Sequence, residues 1–346
     1  MNHIQTGLGR WLIASIAFLA TTACGDSSGT GAPDDPGVLL AANVVGPTDL
    51  VWTRDGSEVV YATTTALNAV SVATRVERHL VADASISIKA VSSAGDRIYY
   101  GAVVTPPPPA AVNFRISRVN PTTGAVEILV TVPWRGGEYI LVSADERFVV
   151  ADGRIYNLQA GTQIDLTCQR SRGFSPDGTK ILCQTAPQSA SDASFALIST
   201  ADGTSQQLPL TTGVGFYFGH RWEGNSPQLL NSTFDNGVTT IFEMDGVTGV
   251  KRDVSKLDAN VSLLLLANWS PDGRTLGAWI DPTAGREGKA NLYVFRAGSA
   301  PAIAARVSST FFLGPQKAVF SESGNSVAYF HDGENNKRSL YAKTGI

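Results

Sequence analysis

The side chains of this sequence that could carry out chemistry are scattered along the chain. After the first 23 residues the histidines are His79, His220 and His331, and their spacing matches no metal-ligand pattern. The stretch Gly25-Asp26-Ser27-Ser28-Gly29 matches G-x-S-x-G, but it lacks the flanking strand and helix that position a hydrolase nucleophile. The motifs therefore predict no catalytic residue, no metal site and no cofactor. A pair of carboxylates acting on a polysaccharide would be recognised only from coordinates.

The composition is that of a large globular chain with many turns. Of its 346 residues, 43% are hydrophobic and only 16% are charged, and 34 glycines and 17 prolines recur at short intervals. This pattern favours short strands joined by turns. The net charge is -3, and without the first 23 residues, which contain one Arg and no acid, it is 26 minus 30, or -4. We therefore expect no nucleic-acid partner.

The first 23 residues have the features of an export signal. Arg10 precedes an apolar run over 11–20, which is too short to span a bilayer permanently, and Thr21-Thr22-Ala23-Cys24 follows. Small residues before a Cys resemble the lipobox of bacterial lipoproteins, although Thr21 replaces the usual Leu. The resemblance implies cleavage after Ala23 and acylation of Cys24. The alternative is an ordinary signal peptide that leaves a free thiol at Cys24.

A flexible tether follows the proposed acylation site. Residues 24–37 are rich in Ser, Gly, Asp and Pro, which suits a spacer between a lipid anchor and a folded domain. We therefore expect a signal peptide over 1–23, a lipidated Cys24 with its tether over 24–37, and a folded domain over 38–346. In bacterial lipoproteins, Asp directly after the Cys favours retention in the inner membrane. Gly25 stands there, which favours the outer membrane.

The folded domain contains internal repeats. Each repeat is centred on an aromatic or apolar residue followed by a turn, most clearly at 174–178 (Phe-Ser-Pro-Asp-Gly) and 269–273 (Trp-Ser-Pro-Asp-Gly). The seven copies begin at residues 52, 91, 142, 174, 222, 269 and 320, in steps of 39, 51, 32, 48, 47 and 51. These steps bracket the roughly 40 to 50 residues of a four-stranded propeller blade.

The repeated motif has a structural explanation. Pro suits the second position of a type I turn, Asp the third, and Gly the left-handed fourth position. The aromatic residue before the turn is expected to pack between blades. The acids Asp55, Asp177 and Asp272 are therefore predicted to be turn formers rather than catalytic acids.

The repeats predict an all-β fold, a single β-propeller. We expect seven four-stranded blades, with six or eight as alternatives. The last repeat is one strand short, and the apolar stretch 38–45 is predicted to supply that strand and close the ring.

The repeats resemble those of TolB-like propellers, relatives of the WD-repeat proteins, over nearly the whole domain. This resemblance implies an envelope protein that binds other proteins, although function transfers poorly between propellers. The same blades also form the non-catalytic half of some serine peptidases.

Cys168 and Cys183 remain after Cys24 is assigned to the lipid. They lie at the end of one repeat and in the first hairpin of the next, so a disulfide between them would join neighbouring blades. The alternative is a pair of buried, unpaired thiols.

The longer and more varied loops of the repeats all emerge on the rim opposite the motif turns. They span 105–109, 184–194, 231–237, 281–289 and 331–338. Such a rim is typical of a binding face, and tolerated insertions are the alternative. Aromatic and Arg side chains near the entrances to the inner strands are the candidate binding residues. They are Trp134, Arg135, Tyr139, Arg172, Tyr217, His220 and Arg221.

Three functions stay open from the sequence. The first is a non-enzymatic, monomeric scaffold or binding module of the cell envelope that recognises a protein, peptide or glycan. The second is a propeller hydrolase or lyase acting on polysaccharide, and the third is a purely structural role.

Overall fold

Antiparallel strands form almost all of the regular structure in the described part of this chain. The computed structural model describes residues 35–105, 111–137, 139–185, 194–209, 216–235, 238–257, 262–281, 289–296, 302–308, 318–332 and 337–346. They belong to one compact unit, Asp34–Ile346. The predicted signal peptide and Cys24 lie outside the described residues. In the described part of the chain, no helix has the length and apolar character needed to cross a bilayer.

The described strands form seven four-stranded sheets, which we number as blades in chain order. Blade 1 comprises β2 (Pro47–Trp52), β3 (Glu58–Thr63), β4 (Ala66–Ser71) and β5 (Glu77–Ala82). Blade 2 comprises β6 (Ile86–Ala94), β7 (Arg97–Val104), β8 (Asn113–Val119) and β9 (Val126–Pro133). Blade 3 comprises β10 (Ile140–Val142), β11 (Phe148–Ala151), β12 (Arg154–Asn157) and β13 (Thr162–Asp165). Blade 4 comprises β14 (Arg170–Phe174), β15 (Lys180–Gln184), β16 (Phe195–Ser199) and β17 (Ser205–Gln207).

The remaining blades follow the same meander until the last. Blade 5 comprises β18 (Phe216–Glu223), β19 (Ser226–Asp235), β20 (Val238–Asp245) and β21 (Lys251–Leu257). Blade 6 comprises β22 (Ser262–Trp269), β23 (Thr275–Asp281), β24 (Lys289–Arg296) and β25 (Ala302–Ser308). Blade 7 comprises β26 (Ala318–Phe320), β27 (Ser326–Asp332), β28 (Arg338–Thr344) and, as its outer strand, β1 (Val38–Val44).

The hydrophobic core of the described residues lies between the blades. It consists of seven clusters, and each is shared by two consecutive sheets. The cluster that closes the ring joins Leu50 and Trp52 of blade 1 to Ala328, Phe330 and Leu340 of blade 7. The prediction of an all-β propeller is therefore confirmed, because each blade buries both of its faces against its neighbours.

The closing strand is where the sequence predicts it. Strand β1 pairs antiparallel with β28, from Val38 opposite Ala342 to Val44 opposite Arg338. Completing blade 7 with a strand from the other end of the domain holds the first and last blades together. The pairing also removes an open edge, so the predicted closure of the ring is confirmed.

The motif turns lock the first two strands of a blade together. In blade 4 the Gly178 amide donates to the Ser175 carbonyl (2.9 Å), and the Ser175 hydroxyl donates to Asp177 (2.6 Å). Gly178 has a φ of +70°, the left-handed value that the fourth turn position requires. Blades 1, 6 and 7 repeat this turn with glycines at φ +68°. The predicted turn chemistry is therefore present.

Two weak copies of the motif fold differently. In blade 2 the strand β6 continues to Ala94, and a two-residue turn connects Ala94 to its partner Arg97. Ser93, not Val91, therefore occupies the register position that Trp52 holds in blade 1. In blade 5 Glu223 likewise pairs directly with Ser226. In blade 1, six residues (53–58) connect the paired residues Trp52 and Val59. Blades 2 and 5 lack this longer connection, so their first two strands extend to a tight hairpin.

We call the rim with the motif turns the turn face and the opposite rim the loop face. The second-to-third strand connections and the connections between blades begin and end at the loop face. Most of the predicted loops 105–109, 184–194, 281–289 and 331–338 lies outside the described residues. One predicted loop is largely strand, because β19 extends through Asn231 to Asp235 and pairs with β20 as far as Val238. The Thr and Phe residues of that segment suit an extended strand.

Candidate functional site

A buried carboxylate holds one segment of the loop face in place. Asp152 lies in the two-residue turn between β11 and β12, and its side chain is fully buried. It accepts hydrogen bonds from the amide of Arg135 (2.8 Å) and from the amide of Gly137 (2.8 Å). The φ of Asp152 is +48°, a conformation that Asp tolerates better than most residues. The blade 3 hairpin thus fixes the segment 134–137, which leads from blade 2 into blade 3.

Arginine side chains surround this carboxylate. Arg154 is almost fully buried, and its guanidinium lies 3.4 Å from Asp152 and 3.4 Å from Asp165. Arg135 is 51% exposed, and its Nη1 donates to Asp165 at 2.9 Å. The buried Asp152–Arg154 ion pair lies beneath the segment 134–137, whereas the Arg135 guanidinium lies at the surface. This loop therefore presents a cation on a rigid base.

Two further candidate residues adjoin this segment. The Trp134 indole N–H donates to the Gly137 carbonyl (3.2 Å), which folds the ring back over the loop. The Tyr139 hydroxyl lies 3.4 Å from the Ser171 hydroxyl of blade 4, and its ring packs in the core cluster between blades 3 and 4. The structure therefore brings Trp134 and Arg135 together, with Tyr139 next along the chain.

Arg172 and His220 form a second group on neighbouring inner strands. Arg172 is the extra residue of a β-bulge in β14, because its neighbours Ser171 and Gly173 pair with the adjacent residues Cys183 and Leu182. His220 of β18 packs against Gly173, where a Cβ atom would lie 2.7 Å from the imidazole Nε2. Burial, together with the positive charge of Arg172, lowers the pKa of His220 to about 4. Tyr217 lies in β18 with its side chain outside the described residues.

Arg221 lies towards the other end of β18, next to the turn face. Its Nε donates to Glu243 (2.6 Å), and a Cβ atom on Gly273 of the blade 6 turn would lie 3.3 Å from its Cδ. Glu243 is 1% exposed and also accepts from Arg252 (2.5 Å). The Arg221 guanidinium lies 5.4 Å from the centre of the Trp269 ring. Arg221 is thus committed to an ion-pair cluster between blades 5 and 6, apart from the loop-face segment.

The acids of the motif turns serve the backbone. Asp55 accepts hydrogen bonds from the amide of Ser57 and from the hydroxyl of Thr53, and these bonds lower its pKa. The Ser175 hydroxyl and the Thr179 amide lower the pKa of Asp177 in the same way. Asp272 accepts from the Ser270 hydroxyl at 2.5 Å. All three side chains make the turn contacts that the sequence predicts for them.

The part of the chain that the structure describes contains neither a metal-binding cluster nor a cluster of histidines. No group of three or more His, Cys, Asp or Glu side chains among those residues has the proximity to hold a metal ion. His79 contacts Asn68 within blade 1, and His331 lies in β27 of blade 7. The three histidines of the folded domain therefore belong to three separate blades.

Cys168 and Cys183 are paired in the structure as a disulfide, with their Cα atoms 5.7 Å apart. Cys168 lies in the connection that follows β13, and Cys183 lies in β15 of blade 4. Directly after Cys168, the Gln169 amide donates to the Gln184 carbonyl (2.9 Å). The bridge therefore fastens the connection between blades 3 and 4 to the second strand of blade 4.

The turn face holds a feature that the sequence analysis does not predict. A cavity of about 540 Å³ opens there between the inner strands. It is lined by Val51, Trp52, Thr53, Arg54, Ser93, Ala94, Gly95, Val142, Ala144, Phe174, Ser175, Pro176, Pro271, Val319, Phe320 and Glu322. The sequence signal for it lies in the motif, because the residue directly after the motif Ser or Thr lines the cavity in five blades.

Comparisons with known proteins identify the fold and no family. No protein-family model matches the chain, and no curated protein does. A chain of hydrazine synthase from Kuenenia stuttgartiensis matches with a TM-score of 0.55 and 14% identity, covering 93% of this chain and 100% of its own. A chain of a mitotic checkpoint complex gives 0.54 and 13%, covering 98% of both chains. The β-propeller domain of the trilobed protease from Pyrococcus furiosus gives 0.53 and 12%, covering 76% and 82%. These likenesses concern the propeller architecture alone.

Proposed function

We propose that this chain is a non-enzymatic lipoprotein of the bacterial cell envelope, with a TolB-like propeller. It binds a protein, peptide or glycan partner through its loop face. The lipobox-like sequence at Cys24 supports the anchor, and the repeated motif turns support the TolB-like assignment. In this proposal the turns of the opposite rim build the ring, and the loop face recognises the partner.

The observation that carries the proposal is the loop segment held by Asp152. A fully buried carboxylate is expensive unless it is paired, and here its hydrogen bonds and ion pair all fix the segment 134–137 and its support. The segment presents the exposed guanidinium of Arg135, and the adjacent Trp134 is half-buried against the core between blades 2 and 3. Arg and Trp are frequent interface anchors. A rigid segment loses little conformational entropy when a partner binds.

The start of β1 supports the assignment of the loop face. Thr344 pairs with Ser326, directly after the blade 7 turn, so the end of β28 lies at the turn face. Val38 pairs with Ala342 near that same end, and β1 therefore begins at the turn face. Just before it, Asp35 pairs with Lys343 (2.5 Å), and the Pro36 carbonyl accepts from Tyr329. A tether that ends here meets the propeller on the turn face.

The length of the tether limits the distance between the propeller and its lipid anchor. The ten residues 25–34 reach at most about 36 Å when fully extended, at up to ~3.6 Å per residue. As a flexible chain their root-mean-square span is roughly 17 Å. In this proposal a lipid on Cys24 attaches to the propeller through the turn face, so the loop face is the rim that does not carry the attachment.

The proposal is tested by crosslinking and affinity purification of the full chain from the native envelope. Variants with the loops 184–194 and 281–289 shortened, and the variant Arg135→Ser, are compared with Arg274→Ser on the turn face. We expect a specific crosslinked partner with the wild type and Arg274→Ser, and its loss with the loop variants. Retention of the same partner by every loop variant would exclude the loop face. A Cys24→Ser variant that stays membrane-bound would exclude the lipid anchor.

A further inference from the structure

We propose that the cavity on the turn face is a second binding site, for a small zwitterion with an apolar body, such as an amino acid or a di- or tripeptide. Its carboxylate would pair with Arg54 and its ammonium group with Glu322. This site is separate from the loop face, and neither proposal depends on the other.

The motif turns supply the rim of this cavity. The residue that follows the motif Ser or Thr, which is Pro in the clearest copies, lines the cavity in five blades. These residues are Arg54, Ala144, Pro176, Pro271 and Glu322. Equivalent turns around a ring direct equivalent positions towards the same opening. Three of the five residues are apolar, so the two charged ones stand out against the repeat.

The two charged residues lie in neighbouring blades. Arg54 belongs to the blade 1 turn and Glu322 to the blade 7 turn, and the first strands of these blades are joined by a hydrogen bond from the Trp52 indole to the Val319 carbonyl (2.8 Å). A Cβ atom on Gly56 would lie 3.9 Å from the Ser321 Cβ, so the turns themselves are adjacent. The ends of a small zwitterion could therefore reach both charges.

Neither charged side chain has a structural task in the described part of the molecule. The blade 1 turn is held by Asp55, which accepts hydrogen bonds from Thr53 and Ser57. Arg54 takes no part in these bonds. Within the described residues, Arg54 and Glu322 make no side-chain hydrogen bond or ion pair that would occupy them. A cation and an anion that line one cavity without a partner favour a ligand carrying both signs of charge.

The lining between these charges is mixed: Thr53, Ser93 and Ser175 contribute polar groups, and the apolar residues are held by core packing. Phe174 belongs to the core cluster between blades 3 and 4, and Phe320 to the one between blades 6 and 7. Val51, Val142 and Val319 add aliphatic surface on three of the inner strands. The volume of about 540 Å³ lies within the range of small-molecule pockets. The cavity is therefore preformed, and its aromatic and aliphatic lining residues provide contacts for an aliphatic side chain.

The test is calorimetric titration of the full-length protein with the tripeptide alanyl-leucyl-alanine. A second titration uses the same peptide with an acetylated N-terminus and an amidated C-terminus. We expect the free peptide to bind and the blocked peptide to bind at least tenfold more weakly. Arg54→Gln and Glu322→Gln should each weaken binding of the free peptide roughly tenfold, as expected for the loss of a charge-assisted bond.

Matched controls lie on the same face outside the cavity lining. Arg274→Gln removes an 86% exposed cation from the blade 6 turn, and Asp96→Asn removes a 77% exposed acid from the blade 2 turn. Both should keep the wild-type affinity. The proposal is overturned if the wild type binds neither peptide at millimolar concentration, or if free and blocked peptides bind equally. It is also overturned if the controls weaken binding as much as Arg54→Gln and Glu322→Gln.

Discussion

Replacing Asp152 with Asn removes one charge from the base of the loop-face segment while keeping the turn. Asn is suitable because it also adopts positive φ at modest cost, and Asp152 has a φ of +48°. The amide nitrogen of Asn would replace a carboxylate oxygen. At Oδ2 it would face the Arg135 amide, now 2.8 Å away, so two donors would oppose each other. At Oδ1 it would face the Gly137 amide in the same way.

The size of the effect follows from burial. The side chain of Asp152 is fully buried and that of Arg154 is 5% exposed. Asn at 152 leaves Arg154 with the exposed carboxylate of Asp165 as its remaining ion-pair partner, beside the neutral Tyr156 hydroxyl and Pro133 carbonyl. Removing one partner of a buried ion pair costs about 3 to 5 kcal/mol. Asp165 retains part of the attraction, so we expect a loss near the lower limit, about 3 kcal/mol of unfolding free energy.

Urea denaturation measures this loss, and limited trypsin digestion localises it. Cleavage after Arg135 should accelerate in Asp152→Asn, because the segment 134–137 loses an anchor. Asp165→Asn is the matched control, since Asp165 contacts the same two arginines but is 62% exposed and should cost less than about 1 kcal/mol. If the two variants lose equal stability and Arg135 is cleaved at the wild-type rate in both, the buried carboxylate does not hold the segment.

Three other measurements test the packing between and within the blades. Glu243→Gln should lower the free energy of unfolding in urea by about 3 kcal/mol, because Glu243 is 1% exposed and lies between two arginines. Arg252→Gln should lower it by less than about 1 kcal/mol, because Arg252 is 64% exposed. Equal losses would contradict this. Because the pKa of His220 is lowered to about 4 in the folded protein, unfolding takes up a proton between pH 6.5 and about 4. The free energy of unfolding should therefore decline by up to about 3 kcal/mol as the pH falls through that window. His220→Gln should flatten this decline. An unchanged pH profile in that variant would exclude His220 as the cause. Thiol titration of the unreduced, denatured domain should detect neither Cys168 nor Cys183; two reactive thiols would exclude the disulfide, whose reduction should cost about 3 kcal/mol.

The sequence predicts the architecture well because the repeat carries its own turn chemistry. Pro176, Asp177 and Gly178 define a turn by local rules alone, and the same rules hold wherever the motif recurs. The missing strand of blade 7 is likewise predictable, since an incomplete last blade must pair with an apolar segment such as 38–45. Local signals fail in blade 2, where Val91 resembles the motif aromatic by position but Ser93 takes its place in the register.

Contacts between blades are not predictable from the sequence in the same way. The pairing of Arg221 with Glu243 depends on which direction a residue of β18 faces, and one bulge in the strand reverses that direction. The role of Asp152 is hidden for a similar reason, because a short Asp-Gly turn predicts only a hairpin. The turn-face cavity did leave a sequence signal, namely Arg54 and Glu322 at motif positions where Pro is expected.

The most direct test of the loop-face account is site-specific photocrosslinking in the native envelope. A photoreactive side chain is introduced at residue 135 on the loop face or at residue 274 on the turn face, both at exposed arginines. The account predicts a discrete crosslinked partner from position 135 and none of the same mass from position 274. A partner captured from position 274 and absent from position 135 would contradict it.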